Sequence, residues 1–240
     1  MTQHLTMTAP EVLTWLERRG TKRNRDGMAR YAIVAPRAYG VSVGDLLSLG
    51  KQLGTDHALA QALWKTGWYE ARMLSASVAD PARLTPAQMD KWTRDFDNWA
   101  ICDHLCFNLY DRTPHAWKKI DQWCGSKEEF VKRAAFALLA SVALHDKSTP
   151  DAPFRKALRL IERAAHDERN FVKKGVSWAL RSVGERSQSL YDAALVSARR
   201  LAESPDASAR WVGKDALRQM STPAVRKRVA ARAARRKTTN

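Results

Sequence analysis

Apolar residues recur along almost the whole chain at the three- and four-residue spacing of an amphipathic α-helix. Alternating runs of β-branched residues bounded by turn residues, which would indicate strands, are missing from the sequence. Glycines and prolines interrupt the helical pattern so often that most helices should be about ten to eighteen residues long. These interruptions lie near Gly20, Gly40, Gly54, Thr66, Gly67, Pro81, Pro114, Gly125, Pro150, Gly184, Pro205 and Pro223. The pattern predicts an all-α chain of short helices joined by short turns.

Two helix starts are marked by the capping-box pattern, a Ser or Thr followed three residues later by Glu or Gln. TAPE at 8–11 fits it, and TPAQ at 85–88 repeats it. In this arrangement each side chain satisfies a backbone N–H donor that the first helical turn leaves unbonded. We therefore predict helices that begin just after Thr8 and Thr85.

An internal repeat organises the second half of the chain. FVKRAAFALLASV at 130–142 aligns without gaps with FVKKGVSWALRSV at 171–183, an offset of 41 residues. HEAT and armadillo helical repeats have periods of about 40 to 47 residues, although two amphipathic helices can also match by chance. A weaker third copy lies at 209–220, ARWVGKDALRQM. We predict a HEAT-like helical-repeat solenoid, an α–α superhelix over residues 1–222, whose concave surface would carry the function.

Residues 223–240 form the end of the sequence and have their own composition. The stretch VRKRVAARAARRKTTN contains seven basic residues and no acidic one. We expect a basic C-terminal tail that is partly helical or disordered. Such a tail adds non-specific affinity for phosphates, and the alternative is a tail that only improves solubility.

The charge balance narrows the class of partner. Lysine and arginine number 41 against 25 acidic residues, a formal net charge of +16 with a pI of about 10.2, and such a field attracts polyanions. Nucleic acid is the leading partner class, and a merely well-solvated basic protein is the alternative. Neither an apolar run long enough to span a membrane nor a signal-peptide pattern is present, so we expect a protein of the cytoplasm, associated with the nucleoid.

Cations and a tryptophan share a helix in the second repeat copy. This helix contains, in order, Lys173, Lys174, Trp178 and Arg181. Lys174 and Trp178 lie one turn apart on one face. The first copy has Lys132 and Arg133 at the repeat positions of the two lysines. A ridge of cations on consecutive helices is what a surface that follows a phosphate backbone needs, and we predict that these five cations bind DNA.

The stretch FDNWAICDHLC at 96–106 places Trp99 and Asp103 one helical turn apart. Trp99 and Trp178 have charged or carboxylate neighbours on their own helical faces, which favours a polar groove. Most tryptophans in helical repeats belong to the core, and we expect this of Trp15, Trp64, Trp117 and Trp123.

A metal site is the alternative interpretation of Cys102, Asp103, His104 and Cys106. Zinc sites need a second ligand pair, which the chain does not offer, so we expect no metal, cysteines that pack between helices, and a surface or interface histidine at 104. The phosphate-loop, dinucleotide, zinc-hydrolase and serine-hydrolase motifs are also missing, so we expect no cofactor.

Several stretches in order resemble the DNA alkylation repair family of AlkD-type HEAT-like repeat glycosylases. They are MARYAIVAPRAYGVS, WYEARMLSA, NWAICDHLC, KRAAFALLA and FVKKGVSWALRSVG, and the likeness runs over roughly residues 8 to 220. The family's W-x-x-x-D pair is matched by Trp99 and Asp103, its arginine in an R-A-A helix by Arg133, and its later tryptophan in W-x-L-R by Trp178. Many relatives have an acidic residue where this chain has Ala100, and the stretch between Arg133 and Trp178 is longer than in some.

The resemblance implies a monofunctional glycosylase that removes N3- and N7-alkylated purines from double-stranded DNA without a pocket for the base. Asp103, Trp99 and Trp178 would be its catalytic residues, with Arg133 on a backbone phosphate, and we expect a monomer. Two other hypotheses for the function stay open. One is a non-catalytic protein of the same architecture that binds bent, branched or damaged DNA by shape. The other is a scaffold for an acidic protein partner.

Overall fold

The structure is a computed structural model that describes residues 4–238. Within that range the chain forms fourteen α-helices and two 3₁₀ turns and no β-strand, as the hydrophobic pattern predicts. The helices are α1 Ala9–Arg19, α2 Lys22–Met28, α3 Val43–Leu53, α4 His57–Lys65, α5 Tyr69–Val78, α6 Pro86–Arg94, α7 Trp99–Asn108, α8 Ala116–Trp123, α9 Glu129–His145, α10 Asp151–Ala164, α11 Asn170–Gly184, α12 Gln188–Ala202, α13 Ala207–Met220 and α14 Pro223–Thr238. The 3₁₀ turns are Ala29–Tyr31 and Tyr110–Arg112. No helix in this part of the chain is long and apolar enough to cross a membrane.

The helices divide into two compact units, Met1–His115 and Ala116–Asn240, which we call unit 1 and unit 2. Their charges differ widely. Unit 1 has 14 basic and 12 acidic residues, a formal net charge of +2, whereas unit 2 has 27 and 13, a net charge of +14. Almost all of the excess positive charge of the chain therefore belongs to unit 2.

Unit 1 is built around α5, which packs against α3, α4 and α7. Its apolar side chains, such as Met73 and Leu74, are almost completely buried, and burial of one such side chain contributes about 1.5 to 3 kcal/mol. The buried carboxylate of Glu70, also on α5, accepts hydrogen bonds from the backbone N–H groups of Tyr39, Gly40 and Val41. A charge buried in this way is tolerated because it is fully hydrogen-bonded, and it holds the loop before α3 in place.

Unit 2 consists of repeated helix pairs in two layers. Helices α9, α11 and α13 pack side by side, and we call them the α9 layer; α10, α12 and α14 do the same and form the α10 layer. Each layer packs on the other, α10 and α12 on α11, and α12 and α14 on α13. Helices α9 and α11 begin at Glu129 and Asn170, which confirms the 41-residue offset.

Segments one repeat apart are joined by hydrogen bonds near the starts of α11 and α13. The Arg169 guanidinium donates to the carbonyl oxygen of Lys127, and one repeat later the Ser208 hydroxyl donates to the carbonyl oxygen of Asp167 at 2.6 Å. Because each repeat bonds mainly to the next one, the sequence pattern of one helix pair recurs in its neighbour.

The two predicted helix starts are both present, with a difference at the second. The Glu11 carboxylate accepts from the backbone N–H of Thr8, as a capping box requires. At α6 the Thr85 hydroxyl accepts from the backbone N–H of Gln88 at 3.2 Å, but the Gln88 side chain bonds to His57 instead. In a complete capping box the Gln88 side chain would accept from the backbone N–H of Thr85. Here it makes a tertiary contact with α4 instead.

The segment after Pro223 is a docked helix. Val225 and Val229 of α14 are buried, and the Arg228 guanidinium forms an ion pair with the Glu185 carboxylate at 3.0 Å. Residues 239 and 240, at the end of the predicted tail, lie outside the described residues. The described part of the tail is therefore a fixed element of unit 2.

Candidate functional site

The candidate catalytic residues of unit 1 lie at the start of α7. The side-chain oxygen of Asn98, the residue before the helix, accepts from the backbone N–H groups of Ala100 and Ile101 at 3.1 Å each. This N-cap satisfies two donors that the helix leaves unbonded and sets where the helix begins. Trp99 is consequently the first helical residue, and Asp103 follows one turn later.

Trp99 is anchored to the segment before α3. Its indole N–H donates to the carbonyl oxygen of Tyr31 at 2.8 Å, a contact between residues 68 positions apart. The next residue, Ala32, has a φ of 54°, in the left-handed region that residues other than glycine rarely adopt. The ring of Trp99 is half-buried, so this bond holds its orientation while part of its surface stays accessible.

Asp103 lies on α7 between buried and partly buried neighbours. Its own side chain is partly exposed, while Cys102 and Cys106 are completely buried, which confirms the prediction that these cysteines pack between helices. Burial, together with Cys102 and Asp103, raises the pKa of the Cys106 thiol, so it stays protonated.

His104, for which the sequence predicted a surface or interface position, is half-buried. Burial lowers its pKa to about 4, although a hydrogen bond with the backbone of Met73 acts in the other direction. Its ring lies 3.2 Å from the side-chain amide of Asn108, one turn further along α7. The imidazole is therefore neutral near pH 7 and contributes no positive charge beside Asp103.

The predicted DNA-binding residues of unit 2 lie on α9 and α11. Lys132 is committed to an ion pair, with its Nζ 2.9 Å from the Asp167 carboxylate and only 16% of its side chain exposed. Asp167 also binds the Arg169 guanidinium, and the hydrogen bonds from Arg169 and then Lys132 hold the pKa of that carboxyl well below its usual range. Most of the charge of Lys132 is neutralised within the fold.

Arg133 is buried, with 6% of its surface exposed, and its Nη1 donates to the carbonyl oxygen of Phe171 at 2.7 Å. The expected solvent-facing ridge of Lys132, Arg133, Lys173 and Lys174 is therefore wrong for α9. The physical reason is that α9 packs against both α8 and α11, so nearly all of its circumference is covered. The role of Arg133 on a phosphate stays a prediction.

The cations of helix α11 differ in their exposure and in their contacts. Lys174 is exposed, and Lys173 Nζ lies 5.4 Å from the centre of the Trp211 ring, a cation–π distance. Arg181 is partly buried and donates to the Ser177 carbonyl at 3.2 Å and to the side chain of Gln219. Trp178, between Lys174 and Arg181, is half-buried.

Trp211 on α13 is a residue that sequence reasoning missed. At 37% exposure it is the most exposed of the nine tryptophans, and it adds an aromatic surface beside the cations of α11. The signal was present in the third repeat copy, where Trp211 precedes Lys214 and Arg218 at helical spacing. Lys214 and Arg218 reach solvent as well, so the basic surface continues onto α13.

The prediction of a core position for Trp15, Trp64, Trp117 and Trp123 is confirmed for two of the four. Trp64 and Trp123 are buried, with Trp64 stacked on Trp92 at 4.6 Å between ring centres. Trp15 and Trp117 are only half-buried, and Trp117 packs edge-on against Phe154. Within the described residues, His, Cys, Asp and Glu side chains nowhere form a group of three that could hold a metal ion.

Two comparisons with known proteins identify the family and the fold of the chain. The model of the DNA alkylation repair enzyme family matches residues 12–220. The chain is also similar to a solved structure described as "A new family of proteins related to the HEAT-like repeat DNA glycosylases with affinity for branched DNA structures". The two chains are 18% identical with a TM-score of 0.74, and the match covers 89% of this chain and 95% of the other. The likeness confirms the HEAT-like repeat fold, whereas no curated protein matches the chain.

Proposed function

Since the chain belongs to the DNA alkylation repair enzyme family, we propose that it is a glycosylase that hydrolyses the N-glycosidic bond of N3- and N7-alkylated purines in double-stranded DNA. It would act as a monomer on chromosomal DNA in the cytoplasm, and without strand cleavage. The observation that carries the proposal is the arrangement at the start of α7, where an anchored tryptophan and a partly exposed carboxylate lie one turn apart.

The substrate explains why one carboxylate suffices. Alkylation of a ring nitrogen makes the base a cation, so it leaves readily and takes the bond's electron pair with it as a neutral alkylpurine. Positive charge then develops on the sugar, as in other oxocarbenium-like transition states of glycoside hydrolysis. No metal or cofactor is required for this departure, because the leaving group is already activated by its own charge.

Asp103 is proposed to stabilise the developing sugar cation and to accept a proton from the water that attacks the anomeric carbon. Trp99 offers the negative face of its ring to the same cation. Both interactions become strongest as the charge appears, which is the condition for raising the rate and not only the affinity. Trp178 is also proposed to contact the lesion nucleotide.

Affinity for the duplex would come mainly from unit 2, with its net charge of +14. Lys173, Lys174 and Arg181 are proposed to neutralise phosphates, with Trp211 beside them and Lys132 and Arg133 nearby on α9. Each neutralised phosphate releases condensed counterions, so binding should weaken steeply with salt. Salt-sensitive binding to duplex DNA, with no preference for an acidic protein, would identify double-stranded DNA as the partner.

A second candidate function is recognition of branched DNA without base removal. It is favoured by the affinity for branched DNA that is attributed to the structural neighbour, and by the burial of Arg133, the cation meant to grip the phosphate at the lesion. Base release separates the two candidates, because a protein that only reads shape frees no base.

The test is single-turnover release of base from a duplex with one N7-methylguanine. We compare the unaltered protein with Asp103→Asn and with Glu17→Gln, which removes the same charge from an exposed position on α1. Release that is lost in Asp103→Asn, kept in Glu17→Gln and accompanied by normal duplex binding supports the glycosylase. If the unaltered protein binds the duplex and frees neither N7-methylguanine nor N3-methyladenine, the branched-DNA function replaces it.

A further inference from the structure

Helix α10 carries a stripe of cations on its exposed face. Arg155, Lys156, Arg159 and Arg163 are all exposed, at positions that share one side of the helix. The opposite side, with Phe154, Ala157, Leu158, Ile161 and Ala164, is buried in unit 2. No acidic residue of α10 is exposed, since Asp151 and Glu162 are both half-buried.

The stripe continues across the α10 layer. Helix α12 packs between α10 and α14, and it presents Arg199 and Arg200 at its exposed end. Helix α14 adds the exposed side chains of Arg226, Lys227 and Arg228. Three neighbouring helices thus share a predominantly basic surface, on which Asp192 of α12 and Glu203 just after it are exposed carboxylates, and it lies on a different layer from the cations of α11 and α13.

Ion pairs and hydrogen bonds within the fold account for only some of these cations. Arg200 pairs with Glu162 at 3.2 Å, Arg228 pairs with Glu185, and the Arg155 guanidinium donates to the Ser189 hydroxyl. These contacts tie α10 to α12 and α14 to the end of α11. They leave Lys156, Arg159, Arg163, Arg199, Arg226 and Lys227 as exposed side chains with no evident structural task in the part of the chain that the structure describes.

A surface that only serves solubility usually mixes both signs, because a large field of one sign raises the free energy of the folded state by self-repulsion. Arginine predominates on this surface, and its planar guanidinium binds phosphate oxygens in pairs. Helix α14 also lies beyond residue 220, where the match to the family model ends. This part of the surface is therefore additional to the region that defines the family.

We propose that the α10 layer of unit 2 is a second DNA-binding surface that holds a second duplex segment while the α11 cations hold the first. The proposal takes DNA as the ligand from the proposed function, but it does not depend on base removal. It fits a substrate in which two duplex arms meet, or two duplexes brought together, because the two surfaces belong to different layers of unit 2.

The test compares binding of a four-way DNA junction with binding of a linear duplex of the same length. The variant K156Q/R159Q/R163Q removes three cations of the stripe, and K51Q/K65Q/R94Q removes three exposed cations of unit 1 as a matched control. All six side chains are exposed, so thermal unfolding should be unchanged in both variants.

We expect the stripe variant to bind the junction at least tenfold more weakly and to lower the slope of log affinity against log salt by about 2 to 3. Duplex binding should change much less, and base release at saturating enzyme should not change. Equal losses of junction affinity in the stripe variant and the control would overturn the proposal, as would an unchanged junction affinity. It would also be overturned if the stripe variant lost affinity only for polyglutamate, an acidic polypeptide measured in parallel. A protein that frees no base leaves this binding test intact, so the two proposals fail separately.

Discussion

Unit 1 and unit 2 differ in charge and in the candidate residues that they hold. Unit 1 holds Trp99 and Asp103 and is almost neutral, with a net charge of +2, whereas unit 2 holds the cations and has a net charge of +14. The carboxylate that is proposed to stabilise a cationic transition state thus belongs to the almost neutral unit. Under the proposed function, the chemical step and the affinity for DNA belong to different units, so each can be changed without the other.

The two units also position their side chains by different means. In unit 1 a few specific hydrogen bonds hold the site, those of Asn98 to α7 and of Trp99 to the Tyr31 carbonyl. In unit 2 the same kind of helix pair recurs, and segments one repeat apart are bonded to each other. A change in unit 1 should therefore act on one step, whereas changes in unit 2 should act on binding in proportion to the charge removed.

The largest expected effect is that of Asp103→Asn on the chemical step. The amide of asparagine has the shape of the carboxylate but not its charge. The substitution should slow single-turnover base release by about a hundredfold to a thousandfold, the range for loss of one electrostatic group at a transition state. Duplex affinity should change by less than about threefold, because the affinity is proposed to come from unit 2. A rate that changes no more than in Glu17→Gln would break the division between the units.

The second largest effect concerns the stability of unit 2. Arg186 is buried, with 4% of its surface exposed, and its guanidinium donates to the carbonyl oxygens of Ala143, Asp146 and Thr149 at the end of α9 and in the loop after it. Arg186→Met should lower the free energy of unfolding by about 3 kcal/mol, since it leaves those carbonyls without their donor. Urea denaturation measures this loss.

A matched control for that variant is Arg155→Met, which removes an exposed arginine of α10. It should cost well under about 1 kcal/mol, as surface substitutions usually do. Similar losses in the two variants would mean that the Arg186 contacts contribute nothing to the stability of unit 2.

Acid should act on unit 1 through His104. Its pKa is about 4 in the folded chain, against 6.5 for a histidine exposed to water, so between these values the unfolded chain binds a proton that the folded chain does not. Stability should therefore be lost as the pH falls from about 6.5 to about 4, by up to about 3 kcal/mol from this group. Unfolding of His104→Gln, followed over the same pH range, should lack this component, and an unchanged pH dependence would remove His104 as its source.

The smallest effect is expected on α11. K173Q/K174Q should weaken duplex binding by about tenfold and lower the salt slope by about 2, because two phosphate contacts are lost. The rate of base release at saturating enzyme should stay the same. A slower chemical step in this variant would show that the unit 2 lysines also act on catalysis, contrary to the separation proposed above.

The sequence by itself determined the helical class, the 41-residue repeat of unit 2 and the one-turn spacing of Trp99 and Asp103. These features are local, because hydrophobic periodicity and helix caps depend on residues within a few turns of one another. The same holds for the buried cysteines of α7, since the buried side chains of Leu105 and Leu109 follow Cys102 and Cys106 at helical spacing.

Only the tertiary structure decided which cations are available to a ligand. Lys132 and Arg133 look alike in sequence to Lys173 and Lys174, yet packing of α9 between two helices buried Arg133 and brought Asp167 to Lys132. The exposure of Trp211 and the uniform stripe of α10 were decided in the same way. The physical reason is that a side chain's charge becomes useful or is neutralised according to partners about forty residues away, and no periodicity in the sequence specifies those partners.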